Sequence, residues 1–83
     1  MPAKTAPRQF RRGLAQLIRQ ARRARQMSMY CASVRMGVSR QTWRNYELGR
    51  IMPSAWNLVR IMSLLGLNGY DVEACDVELP RRF

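Results

Sequence analysis

The sequence contains no histidine. That excludes imidazole acid–base chemistry and imidazole metal ligation. Cysteine is nearly absent: Cys31 and Cys75 stand far apart, too few for a zinc site and no disulfide framework. The expected compartment is therefore reduced and cytoplasmic. Acidic side chains are also scarce, with 5 Asp plus Glu against 15 Lys plus Arg in 83 residues. No pair of carboxylates, nucleophile–base couple or glycine-rich phosphate loop stands in the chain, so neither an enzyme nor a cofactor, metal or small-molecule ligand is expected. No apolar run approaches the roughly 20 residues of a membrane span. The basic N-terminus lacks the apolar stretch of a secretory signal.

What is present is arginine. It supplies fourteen of the fifteen bases and gives a formal net charge of +10. Residues 1–66 hold thirteen bases and a single acid, Glu47, while residues 67–83 hold two bases and four acids. A small domain that tolerates such self-repulsion usually has a polyanionic partner, nucleic acid ahead of an anionic membrane surface.

The chain divides into a flexible basic arm (1–8), a helical domain (9–66) and a tail (67–83). Phe10, Leu14, Leu17, Ile18, Ala21 and Ala24 recur at helical spacing, predicting a first helix over 9–25 with Arg12, Arg19 and Arg23 on its other face. Three serine-to-glycine segments follow. Ser28 to Gly37, Ser39 to Gly49 and Ser54 to Gly66 each read as N-cap, short helix and C-terminal stop, giving helices over 29–36, 40–48 and 55–65. Ala55, Leu58, Ile61, Met62 and Leu65 share one side of the last of these, leaving Trp56 and Leu64 poorly covered. In the tail, Asp71, Val72, Glu73, Asp76, Val77, Glu78 and Leu79 alternate with a period near two. That favours a strand over 70–79, bulged near Ala74 and Cys75 and paired with the same strand of a second chain. The alternative is a short fifth helix capped by Asn68.

The second and third helices, joined through Met36-Gly37-Val38-Ser39, match the helix-turn-helix pattern. In the third helix, Trp43 and Tyr46 fall on the inner side, while Gln41, Arg44, Asn45 and Leu48 point outward and Arg40 opens the first turn. Arginine, glutamine and asparagine are the side chains that pair bidentately with guanine and adenine in the major groove.

The stretch from Ile18 to Leu67 resembles the lambda-repressor/Cro-type (XRE-like) DNA-binding domain. The matching residues are Ile18-Arg19, Arg22, Met27-Ser28, Met36-Gly37-Val38-Ser39, Tyr46-Glu47-Leu48-Gly49-Arg50, Pro53-Ser54, Leu58 and Leu65-Gly66. The resemblance implies an all-α fold, a compact bundle of four or five helices, and a role as an operator-binding transcriptional regulator. It places base reading on Arg40, Gln41, Arg44 and Asn45. Phosphate contacts are expected from the N-terminus of the second helix at Ser28 and Met29, from Thr42 and from Arg50. Members of this family often carry glutamine where Met29 stands, and the methionine side chain cannot bridge to phosphate as that glutamine does. Lys4, Arg8, Arg11 and Arg12 are candidate contacts from the arm, in the minor groove or along phosphates. The resemblance also pairs Glu47 with Arg22, tying the first helix to the reading helix.

The expected partner is double-stranded DNA with a palindromic operator, bound by a homodimer acting as a repressor or autoregulator of phage or mobile-element type. The different-class expectation is an antitoxin-like or adaptor protein that binds a partner through the tail or the Trp56 face. RNA is disfavoured, because the aromatics sit at core spacing rather than on an exposed stacking platform.

Overall fold

The computed structural model describes residues 8–73. They form five helices: α1 (Arg8–Ala24), α2 (Met29–Met36), α3 (Arg40–Leu48), α4 (Ala55–Leu65) and α5 (Gly69–Glu73), and no strand among the described residues. The fold is an all-α bundle.

Local chemistry sets the boundaries. The hydroxyls of Ser28, Ser39 and Ser54 accept from the backbone N–H groups of Cys31 (2.9 Å), Thr42 (3.0 Å) and Asn57 (3.1 Å). Each satisfies a donor that the first turn of a helix leaves open. Gly37 closes α2 at φ 72°, so the chain turns sharply enough to bring α3 across α2. Gly49 closes α3 at φ 73° and lies directly beneath α1, where an added Cβ would meet the Arg11 carbonyl at 3.5 Å and the Ala15 methyl at 3.6 Å.

The end of α1 has no glycine. Gln26 takes the left-handed conformation, φ 55°, while its N–H donates to the Arg23 carbonyl and that of Met27 donates to the Arg22 carbonyl. This is a Schellman closure with the wrong residue for its backbone. Because the left-handed conformation costs a side-chain-bearing residue about 1–2 kcal/mol, Gln26→Gly is expected to stabilise the domain by about 1 kcal/mol, part of the gain being lost to the freer unfolded chain. A denaturant midpoint that falls instead of rising would show that the Gln26 side chain contributes elsewhere.

Trp43 lies fully buried at the centre of the core, with Leu14 and Ile18 from α1, Ala32 and Met36 from α2, Tyr46 from α3, and Ile61 and Leu65 from α4 around it. α3 is thus held on one side by α1 and on another by α2. Leu64, expected to be poorly covered, is half-buried and packs on this core, whereas Trp56 is 70% exposed.

α1 ends at Ala24, one residue before the expected end, and two further boundaries differ from expectation. Arg8, assigned to the arm, is the first residue of α1. The first turn carries no apolar residue before Phe10, so periodicity could not register it. The strand expected from residue 70 is a helix as far as Glu73. Asn68 and Asp71 decide this. The Asp71 N–H donates to Asn68 Oδ1 (2.9 Å) and the Asn68 N–H donates to Asp71 Oδ2 (3.0 Å), a reciprocal cap that starts a helix locally. A lone strand offers no such internal satisfaction. Residues 74–79, with the expected bulge, lie outside the described residues.

Candidate nucleic-acid interface

α3 has two different sides. Inward, Trp43, Tyr46 and Glu47 are buried, the two rings packing edge to face with centroids 6.0 Å apart. Outward, Arg40, Gln41, Arg44 and Leu48 are exposed and Asn45 and Thr42 half-buried. The four candidate base-reading residues therefore share the solvent-facing surface of one helix. Two of them already touch, since Gln41 Nε2 donates to Asn45 Oδ1 at 3.3 Å. Arg40 lies over the ring of Tyr30, its guanidinium carbon 5.6 Å from the centroid.

Behind α3 stands a buried polar network. Arg22 donates from Nε to Glu47 Oε2 and from Nη2 to Glu47 Oε1 (3.1 Å), a two-pronged ion pair, and from Nη1 to the Met27 carbonyl (2.8 Å) in the α1–α2 connection. Trp43 Nε1 donates to Glu47 Oε2 at 2.6 Å. Arg19 Nη1 donates to the Glu47 carbonyl at 3.0 Å. A carboxylate in the last turn of a helix is opposed by the helix dipole; here cationic and neutral donors surround it and link α1, α3 and the α1–α2 connection. Arg25 acts in a similar way elsewhere, donating from Nε to the Leu65 carbonyl at 2.9 Å to close α4.

The remaining candidates lie beside α3 and past its C-terminal end. Ser28 is occupied as the cap of α2, and Met29 is half-buried beside it, in a small pocket of about 170 Å³ that Arg23 and Arg44 also line. The Thr42 hydroxyl accepts from the Ser39 hydroxyl at 2.9 Å. Past the C-terminal end of α3, Arg8, Arg11 and Arg12 of α1 meet Arg50 around a cavity of about 570 Å³ floored by Leu48 and Gly49. The structure thus gathers three of the arm candidates into α1, next to Arg50. Lys4 lies outside the described residues.

Sequence reasoning missed three of these roles. The Trp43–Glu47 hydrogen bond could have been found from its four-residue helical spacing. Arg19 and Arg25 as caps could not, because periodicity places an arginine on a helix face without saying how its long side chain reaches out.

Among the described residues, no helix is long and apolar enough to cross a membrane. No curated protein matches the chain. The family model described as a helix-turn-helix domain matches residues 14–75. With two short capped helices joined at Gly37 and the second of them presenting an arginine- and amide-rich face, the chain belongs to the helix-turn-helix domain family of the XRE/lambda-repressor type.

Proposed function

We propose that this DNA-binding regulator works as a dimeric, sequence-specific repressor that occupies a palindromic operator. The observation that carries the reading is α3 itself. Its inner side is fixed by Trp43, Tyr46 and the Glu47 network, while Arg40, Gln41, Arg44 and Asn45 stand clear of the core. In a helix-turn-helix domain such a helix enters the major groove and its polar side chains reach base edges. Guanidinium groups suit guanine, and the two amides suit adenine.

Phosphate contacts bracket the reading helix. With its side chains an α-helix is about 10–12 Å across, which fits the roughly 12 Å width of the major groove. The start of α2, with Ser28 and Met29, offers backbone N–H groups to one wall. The Arg8–Arg11–Arg12–Arg50 cavity offers cations to the other. Replacing Arg12 and Arg50 together with glutamine is therefore expected to weaken binding to all sequences alike and to flatten the dependence of log K on log salt by about 1.8, or 0.9 per phosphate released. An unchanged slope would remove this cavity from the interface.

Dimerisation is supported by the exposed Trp56 (70%) and Val59 (57%) on α4 and by Tyr70 on α5. Large apolar residues left in solvent mark a surface that another chain covers. Selecting bound duplexes from a random pool tests the whole reading. The expected result is an inverted repeat with half-sites one helical turn, about 34–36 Å, apart or a multiple of that. The same apolar surface favours, as a second reading, a partner protein on α4. A monomer by sedimentation that selects an asymmetric motif would support that reading and overturn the dimer.

A further inference from the structure

We propose that Tyr30 is a specificity-determining residue of this interface, because its ring holds the Arg40 guanidinium in position to read a base. The inference rests on the reading that α3 enters the groove.

Tyr30 is the second residue of α2 and is 61% exposed, so the core does not require its ring. Arg40 is the first residue of α3 and is also exposed. Stability does not ask for a cation there, since the N-terminus of a helix repels positive charge. Yet the two side chains meet, the guanidinium carbon 5.6 Å from the ring centroid. That lies inside the range in which the negative face of an aromatic ring attracts a cation. Neither residue stabilises the fold strongly by standing where it does, and together they order a group at the end of the reading helix.

The benefit lies in binding. An unrestrained arginine on the first turn of a helix samples many rotamers, and fixing it on a base gives up that freedom. A tyrosine ring moves about only two torsions and is a stiff support. This support is itself anchored, because α2 is set against α3 by the Gly37 turn and by Ala32 and Met36 packed in one core with Trp43. Met29, next to Tyr30, carries no polar hydrogen to donate and no charge to orient a guanidinium. The ring therefore supplies the side-chain link between the start of α2 and the start of α3. Stacked in this way, Arg40 still presents its N–H edge, the part that pairs with guanine O6 and N7.

The test compares the full chain with Tyr30→Phe, Tyr30→Leu and Tyr30→Ala by selection from a random duplex pool and by affinity for the selected site and a site changed at the guanine that Arg40 reads. Arg40→Ala identifies that guanine. Phenylalanine keeps the ring and is expected to keep the preference. Leucine and alanine are expected to lower it about two- to fivefold, the span of an exposed cation–π contact, with melting temperature and salt slope unchanged. In an Arg40→Ala background, Tyr30→Leu is expected to have no further effect on preference. Unaltered preference in both the leucine and the alanine variants overturns the proposal while leaving α3 as the reading helix. Equal weakening at all sequences also overturns it, by making Tyr30 a phosphate contact. A wild-type chain that selects no sequence overturns both this role and the reading beneath it.

Discussion

Glu47→Gln is expected to destabilise the domain by about 3 kcal/mol, toward the low end of what breaking a buried ion pair costs. The Arg22 and Glu47 side chains are only 11% and 5% exposed, so water cannot replace the lost partner. Glutamine still offers an oxygen to Trp43 Nε1, which holds the loss below that of a full truncation. What it cannot supply is the charge and the second acceptor, and Arg22 is left as a nearly buried cation with neutral acceptors only and with the amide NH2 facing its Nη2. For a domain of this size, each kcal/mol moves the melting temperature by about 4–8 °C, so a fall of about 12–24 °C is expected. A calorimetric scan within a few degrees of wild type would mean that the pair is not structural.

The pair also makes a stricter prediction. Arg22→Met leaves Glu47 as a buried, partly satisfied anion and is expected to cost a similar amount. The double variant removes both charges and is expected to lose distinctly less than the two single losses added together, since a buried pair replaced on both sides leaves no orphan. Strict additivity would mean that the two groups act independently. The selected DNA motif of the folded fraction is expected to stay the same in all three variants, because none of them alters the outward side of α3.

How far the sequence disclosed this arrangement follows the kind of force involved. Caps are local chemistry: Ser28, Ser39 and Ser54, each with its closing glycine, give α2, α3 and α4 with the ends observed. The inward side of α3 follows from three-residue spacing, which is why Trp43 and Tyr46 were readable as core. The pairing of Arg22 with Glu47 was reachable only through family resemblance, because two residues on different helices carry no mutual spacing signal. α5 is the alternative rather than the leading expectation because the charge–apolar alternation of the tail outweighs a lone Asn68 cap, and the reciprocal bond from Asp71 appears only in the structure. The arginines were the hardest. Arg19, Arg25 and Arg40 end on a carbonyl, a carbonyl and a ring, and a long flexible side chain reaches any of these from the same sequence position.

Arg44→Ala is expected to separate reading from holding. Arg44 is exposed on the outward side of α3, and its side chain has no part in the Glu47 network, so the fold should be untouched. A bidentate arginine–guanine pair contributes about 1–3 kcal/mol of discrimination, so preference at one or two positions of the motif is expected to fall by roughly 5- to 150-fold. Arg50 stands beyond the end of α3 in the arginine-lined cavity; Arg50→Ala is expected to weaken cognate and scrambled duplexes by the same factor and to reduce the salt slope by about 0.9. The contrast matters more than either loss alone, because any cation removed from so basic a surface lowers affinity somewhat. Affinity measured on matched and mismatched duplexes at two salt concentrations distinguishes them. If Arg44→Ala lowers both duplexes equally, its guanidinium sits on the backbone, and base discrimination must then come from Arg40, Gln41 and Asn45.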